Sequence, residues 1–262
     1  MSYETLLVER DGALLDVTLN RPAKLNSMDA VMFDELPLVA DQAASDEAVR
    51  AVFLHGAGRA FCSGADLSGA ADLNRLTPLQ FRRWLMGANS VVSKLHHLEK
   101  PVVAAIQGPA AGAGCNLALA TDVRFVSEQG YFMQVFSKRG MVPDFGGLWL
   151  LPRMVGQARA KELFLTGRKV MGPEAVEIGL ATRLCPQESV IEEARAFAKE
   201  LSEGPSQCYA ILKAGMNMAA NATLEQTLEY EAYAQSITRI SEDTNEAVAA
   251  FLEKRSPRFT GR

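Results

Sequence analysis

The feature that most constrains this sequence is a pair of short apolar runs separated by a glycine-rich turn, between residues 101 and 120. The first run, Pro101 to Ile106 (PVVAAI), is rich in β-branched residues and has the length of a buried strand. The second run, Cys115 to Ala120, predicts a helix. The turn between them contains residues that favour tight bends: Gly108, Pro109, Gly112 and Gly114. A strand, a small-residue turn and a helix start leave backbone N–H groups free, and such groups can hold an anion or a developing oxyanion.

Two further stretches fit the same chemistry. The segment GRAFCSGADL, at Gly58 to Leu67, follows an apolar run and offers Ser63, Gly64 and Ala65, which are small enough for close approach to a ligand. The segment MVPDFGG places one carboxylate, Asp144, among apolar residues and glycines. Free main-chain donors beside one sheltered carboxylate favour enolate chemistry. Two structural alternatives remain open, namely glycine turns that serve packing alone and an aspartate that caps a turn or helix.

Composition excludes several other classes of protein. The chain has 262 residues and a net charge of −4, so it has no basic surface of the kind that binds nucleic acid. It contains no run of about 18 apolar residues that would predict a membrane span, and its N-terminus lacks the layout of a signal peptide. Four scattered cysteines and three histidines predict neither a metal site nor a disulfide framework. We therefore expect a cytoplasmic protein.

The pattern of elements divides the chain in two. The first two-thirds alternates short strands with helices, which by periodicity alone predicts a doubly wound α/β sheet. The last third predicts four amphipathic helices, at Ser189 to Glu203, Pro205 to Ala220, Thr223 to Ile240 and Glu242 to Lys254.

Two segments of the first two-thirds interrupt this pattern. Pro37 is expected to kink or interrupt the helix that the spacing predicts over Asp29 to Ala44. Leu67 to Leu76 has no regular pattern, and we interpret it as a mobile border of the site.

Taken together, these stretches resemble the crotonase family, also called the enoyl-CoA hydratase/isomerase superfamily. The resemblance spans nearly the whole chain, through LNRPAKLNSMD, GRAFCSGADL, KPVVAAIQGPAAGAGCNLALATDVRF, GMVPDFGGLWLLPRMVG and FLEKRSPRF. It implies an α/β fold in which β-β-α turns form a spiral, rather than a doubly wound sheet. It also implies a core over residues 1–200 that binds acyl-CoA. Residues 201–262 then form a helical region that packs a homotrimer, often as a dimer of trimers.

The resemblance implies an acyl-CoA thioester as substrate, with coenzyme A entering only as part of that substrate and no other cofactor. Two backbone N–H groups bind the thioester oxygen in this family, and they map to Ser63 and Ala113. The family's hydratases also use two glutamates, and the matching positions here are Asn116 and Phe136. Neither side chain can act as a general base, so ordinary hydratase activity is not expected. Asn116 could instead contact substrate or serve structure, and Phe136 could line the acyl pocket or belong to the core.

Asp144 matches an acidic position in several branches of the family. The most similar are the ring-opening isomerases of the phenylacetate pathway and the related 3,2-enoyl-CoA isomerases. A single carboxylate suits the transfer of a proton between two carbons of one substrate. We therefore predict an enoyl-CoA isomerase in which Asp144 carries the proton, with burial beside Met141, Phe145 and Phe136 raising its pKa. A hydratase or hydrolase in which Asp144 activates water, and a non-catalytic acyl-CoA-binding subunit, remain as alternatives.

Contacts with coenzyme A are also implied by the resemblance. The matching positions lie near the start of the chain, around the two glycine-rich turns and in the final segment. Those for coenzyme A are Lys24, Leu25, Ala65, Asp66, Leu67, Lys254 and Phe259, and those for the substrate more generally are Gly112 and Gly114. In this family the final segment often reaches the coenzyme A of the same or a neighbouring subunit.

Overall fold

The protein is described by a computed structural model that covers residues 3–69 and 75–262. Its larger sheet has six strands in the order β1-β2-β3-β4-β6-β9. Strands β1 and β2 form an antiparallel hairpin, and the remaining pairs of this sheet are parallel. The bounds are β1 Leu6–Asp11, β2 Leu14–Leu19, β3 Ala51–Gly56, β4 Val102–Ile106, β6 Val123–Ser127 and β9 Arg183–Cys185.

A second, smaller sheet gives the fold its spiral character. It contains three short strands in the order β5-β7-β8, at Pro109–Ala111, Tyr131–Met133 and Lys169–Met171. Strands β4 and β6 of the large sheet are each followed directly by a strand of the small sheet. These two turns of the chain therefore cross both sheets before they enter a helix. The doubly wound sheet that periodicity alone predicts is wrong, and the β-β-α spiral implied by the resemblance is confirmed.

Ten α-helices lie within the described residues. They are α1 Ala30–Ser45, α2 Pro78–His97, α3 Ala113–Leu119, α4 Gly147–Val155, α5 Gln157–Thr166, α6 Gly172–Glu177, α7 Val190–Ser202, α8 Ser206–Ala219, α9 Leu224–Thr238 and α10 Glu242–Glu253. Helix α1 continues through Pro37, so the expected interruption is wrong. Leu67–Gly69 forms a short 3₁₀ turn, whereas residues 70–74 of the expected site border lie outside the described part of the chain.

Strand alternation divides the core into two layers. On β3, Ala51 and Phe53 belong to a cluster that packs against α7, while Val52 and Leu54 belong to the larger cluster on the other face. Side chains along a strand alternate in direction, and on β3 both sets are buried, so both faces of the sheet are covered. A sheet covered on both faces holds the ends of its parallel strands in fixed positions, and the loops that follow β3 and β4 begin at one shared edge.

The C-terminal helices pack at the opposite edge of this sheet. The residues just before β3, β4 and β6 contact α8, through Arg50 to Ser206 at 2.6 Å, Lys213 to the Lys100 carbonyl at 2.8 Å and Lys213 to Asp122 at 2.5 Å. Helices α8 to α10 also leave several large apolar side chains exposed: Leu212, Met216, Leu224, Leu228, Tyr233, Ile237, Val248, Phe251 and Leu252. No helix within residues 3–69 and 75–262 combines the length and apolar character that crossing a bilayer requires.

Candidate active site

The two glycine-rich loops that follow β3 and β4 are joined by backbone pairing. Cys62 and Ala110 form a parallel bridge, in which the Cys62 N–H donates to the Pro109 carbonyl and the Ala111 N–H to the Cys62 carbonyl, each at 2.9 Å. The first loop ends at Ser63 to Asp66 and the second at the start of α3. This pairing brings together two segments that lie about 50 residues apart in the sequence.

Gly64 allows the closest approach of the two loops. Its φ of 96° lies in a region that side chains rarely adopt. A Cβ atom there would lie 2.8 Å from the Ala111 carbonyl oxygen and 3.7 Å from the Ala113 nitrogen. Only glycine therefore fits, and the backbone around Gly64 lies directly beside the first residue of α3.

The Ser63 N–H, which was expected to bind the thioester oxygen, is not free in the structure. This N–H donates to the Leu25 carbonyl at 3.0 Å, so it is occupied by a structural hydrogen bond. The assignment of Ser63 as an oxyanion donor is therefore opposed by the geometry. The bond instead ties the loop to the N-terminal segment.

The free donor of the first loop belongs to Ala65. Its neighbours pair with Met28, which donates to the Gly64 carbonyl and accepts from the Asp66 N–H, both at 2.8 Å. In such a bridge the N–H of the central residue points to the other side of the strand. Among the described residues the Ala65 N–H has no partner, and the residue is exposed.

The second free donor is the N–H of Ala113, a position that the family resemblance implies. Ala113 is the first residue of α3, where backbone N–H groups have no partner inside the helix. The preceding Gly112 has φ 54° and ψ −127°, a conformation that only glycine adopts readily. A Cβ on Gly112 would lie 3.8 Å from Cζ of Phe136, so Phe136 packs beside this donor. Gly114 packs against Cys62, where a Cβ would lie 2.5 Å from the Cys62 carbonyl oxygen.

Asp144 is partly buried just before α4. Its Oδ1 is covered and has no hydrogen-bond partner in the described residues. Burial raises the pKa of this carboxyl to about 6. Phe145 and Phe136 are buried, as expected, whereas Met141 is 48% exposed and so contributes less to this environment than expected. The carboxyl is therefore a stronger base than an ordinary aspartate while it still ionises near neutral pH.

Asn116 links this carboxylate to α3. The side chain is fully buried, and its Nδ2 donates to the Asp144 carbonyl at 2.8 Å while its Oδ1 accepts from Gln134 Nε2 at 2.7 Å. Both polar atoms thus have protein partners, which favours the structural alternative over a contact with substrate. Gln134 and Asn89, which holds the Phe145 N–H at 3.1 Å, are site residues that the sequence analysis missed. No motif marks them, because their role depends on tertiary contacts.

The expected coenzyme A contacts near the start of the chain lie together at one rim of the site. Leu25 accepts the Ser63 bond, and the exposed Lys24 precedes it. Asp66 is bound by Ser68 and by Arg21, which together lower its pKa to about 2. Leu67 is 47% exposed beside it. Arg21 was not predicted, although it orders this rim through its bond to Asp66 at 2.9 Å.

The final segment contains two residues that were expected to contact coenzyme A, Lys254 and Phe259. Phe259 accepts a hydrogen bond from Arg50 at 3.4 Å, at the amino end of β3. The first glycine-rich loop follows the carboxyl end of that strand, about 20 Å away at about 3.3 Å per residue. Lys254 ends α10 in a left-handed conformation and is exposed. The structure therefore does not bring Phe259 into the site of its own chain.

Comparison with known proteins gives the same assignment over the whole chain. The enoyl-CoA hydratase/isomerase family model matches residues 9–262. A protein of Rhodobacter capsulatus named probable enoyl-CoA hydratase is 40% identical, with 100% of each chain covered. The 1,2-epoxyphenylacetyl-CoA isomerase of Escherichia coli K12 is 37% identical, with 99% of each covered. The crystal structure of an enoyl-CoA hydratase from Bacillus anthracis superposes with a TM-score of 0.93 at 30% identity, covering 99% of this chain and 100% of that one.

The spiral of β-β-α turns is thus the crotonase fold. The chain belongs to the enoyl-CoA hydratase/isomerase family and is an enzyme of that type.

Proposed function

We propose that this enzyme is an enoyl-CoA isomerase, which moves a double bond by a 1,3-proton transfer carried by Asp144. The observation that supports this proposal is a partly buried carboxylate, Asp144, whose main-chain carbonyl is bonded to the helix that begins at the free Ala113 N–H, with Asn116 and Phe136 at the positions of the hydratase glutamates. One carboxylate is sufficient to remove a proton from one carbon and return it to another.

The proposed reaction begins with a 3-enoyl thioester whose carbonyl oxygen faces the N–H groups of Ala65 and Ala113. The Asp144 carboxylate removes a proton from C2, and the electron pair of that C–H bond moves into a dienolate. The negative charge on the thioester oxygen is stabilised by the two donors, which are fixed by the loop pairing before the reaction begins. The carboxyl of Asp144 then returns the same proton to C4, and the double bond lies between C2 and C3.

A second candidate is the addition of water to a 2-enoyl thioester. It is favoured by the names of several relatives, including the short-chain-enoyl-CoA hydratase of Clostridium acetobutylicum at 32% identity. In that reaction Asp144 alone would activate water and deliver the proton. Hydrolysis of the thioester would use Asp144 on water in the same way, and a protein that binds acyl-CoA without turnover would leave Asp144 idle.

The pH dependence of isomerisation tests the proposed role of Asp144. The active form carries an ionised carboxylate, and burial raises its pKa to about 6. We therefore expect kcat/KM for a 3-enoyl-CoA to rise about tenfold per pH unit below that value and to level off above it. Initial rates of ultraviolet absorbance change between about pH 4.5 and 8.5 would measure this, with circular dichroism confirming that the protein stays folded. A flat profile across this range would contradict the role.

We also propose that the enzyme is a cytoplasmic homotrimer or dimer of trimers. The exposed apolar side chains on α8 to α10 support an assembly, because monomers rarely expose so many near each other. Light scattering on the purified chain would give three or six times its mass of 28.4 kDa.

A further inference from the structure

We propose that Asn116 is a positioning residue, which fixes Asp144 relative to the Ala113 donor through its hydrogen bond to the Asp144 carbonyl. This inference rests on the proposed function, because it takes Asp144 as the base. It gives a role to an amide at the position where the family's hydratases carry a catalytic glutamate.

The direction of the hydrogen bonds is fixed by the Asp144 carbonyl. A carbonyl oxygen can only accept, so the nitrogen of the Asn116 amide must face it. The Asn116 oxygen is then left to accept from Gln134 Nε2. Gln134 in turn has a buried Oε1 with no partner in the described residues. The hydrogen bonds from Gln134 to Asn116 and from Asn116 to the Asp144 carbonyl can therefore run in only one direction.

The backbone that carries Asp144 is held in a sparsely populated conformation. Phe145 has φ 48° and Gly146 has φ 71°. A phenylalanine in this region persists only where the surroundings hold it. The Asp144 carbonyl accepts from Asn116 and from the Gly147 N–H at 3.0 Å, while Asn89 accepts from the Phe145 N–H. Two asparagines, on α2 and α3, thus fix the peptide between Asp144 and Phe145 from both ends.

The carboxylate itself has little else to orient it. Its Oδ1 has no hydrogen-bond partner in the described residues, so its position follows from its backbone and from packing. Asn116 lies three residues after Ala113, which is about one turn along α3. The base and one oxyanion donor are therefore joined through a single turn of a buried helix. A shift of about 1 Å between such groups can cost about 100-fold in rate.

The start of α4 is fitted closely to the Asn116 side chain. A Cβ atom on Gly147 would lie 2.4 Å from Asn116 Nδ2. No side chain at position 147 could be accommodated without moving Asn116. This close packing indicates that α3 and α4 meet at the Asn116 amide. The amide therefore fixes the position of the turn that carries Asp144.

The test compares two variants with one control. Asn116→Leu keeps the branched shape of the side chain without its hydrogen bonds, and Asn116→Ala removes both. Asn217→Ala is the control, because Asn217 Nδ2 makes a bond of the same kind to the His96 carbonyl at 2.9 Å. We expect kcat for 3-hexenoyl-CoA to fall about 10- to 100-fold in both Asn116 variants. We expect KM, and Kd for the saturated hexanoyl-CoA, to change less than about twofold.

Hydrogen–deuterium exchange of the Asp144 to Gly147 segment supplies a measurement that does not depend on turnover. We expect faster exchange there in both variants and unchanged exchange in the control. The melting temperatures of the Asn116 variants should fall, because buried polar groups lose a partner, but should stay above the assay temperature. Raised KM and Kd with unchanged kcat would show a substrate contact and overturn the proposal, as would unchanged kcat with faster exchange.

The two proposals can fail separately. If the wild type does not isomerise 3-hexenoyl-CoA, the proposed function fails. Faster exchange confined to this segment would then still support Asn116 as the residue that positions Asp144, and unchanged exchange would overturn that as well.

Discussion

Asp144→Asn is expected to lower kcat for 3-enoyl-CoA isomerisation by about 10³- to 10⁴-fold, because the same carboxyl both removes and returns the proton. The asparagine side chain has nearly the shape and size of aspartate, but its amide cannot accept a proton from carbon. Burial already raises the pKa of Asp144 to about 6, so the variant removes a base tuned for this step. Steady-state rates would measure the loss, and calorimetry with hexanoyl-CoA would show that binding is kept.

The matched control for this variant is Glu128→Gln, which neutralises an exposed carboxylate in the turn between β6 and β7. Its kcat should equal that of the wild type. Retention of more than about one-tenth of the activity in Asp144→Asn would mean that another group moves the proton, since loss of a general base costs at least about 100-fold.

The second large effect concerns the two main-chain donors. Replacing Ala65 or Ala113 by lactic acid exchanges one N–H for an ester oxygen while the methyl side chain stays the same. Each replacement should lower kcat by about 10²- to 10³-fold, or about 3–4 kcal/mol of transition-state stabilisation, since one fixed oxyanion donor is lost. KM should change little because the donors act mainly on the charge that develops in the dienolate.

Ala30 provides the control for the ester replacements. It is the first residue of α1, and its N–H also has no partner in the described residues, but it lies on an exposed helix start. Lactic acid at this position should leave kcat unchanged. Normal activity after replacement at Ala65 would contradict the assignment of this N–H and restore Ser63 as a candidate.

The sequence predicts the elements of this site better than their contacts. The strand, turn and helix around Gly112 were predicted because the signals lie within a few residues of one another. Which N–H is free in the first loop was predicted wrongly. That choice depends on bonds from Ser63 to Leu25 and around Ala65 to Met28, residues almost 40 positions away in the sequence.

The small sheet and the hydrogen bonds of Asn116 could not be predicted from local sequence either. Strands β5, β7 and β8 have three residues each, too few to display a period of two. Asn116 showed in the sequence only as a missing glutamate, because its hydrogen bonds to Asp144 and Gln134 join segments 28 and 18 residues apart. Such roles follow from packing and cannot be found from local spacing.

The position of the final segment also could not be predicted from the sequence. Phe259 matches a family position associated with coenzyme A, yet it lies at the amino edge of the sheet in its own chain. A contact with coenzyme A from this residue would therefore have to be made to a neighbouring subunit, which is one of the two alternatives that the resemblance implies.

The central claim is that the enzyme transfers a proton between carbons rather than adding water. The most direct test is ultraviolet absorbance with 3-hexenoyl-CoA and 2-hexenoyl-CoA as a matched pair. Isomerisation forms a conjugated thioester, so we predict rising absorbance with the first substrate, lost in Asp144→Asn, and little change with the second. Falling absorbance with 2-hexenoyl-CoA, without a rise with 3-hexenoyl-CoA, would contradict the claim and show that the enzyme adds water.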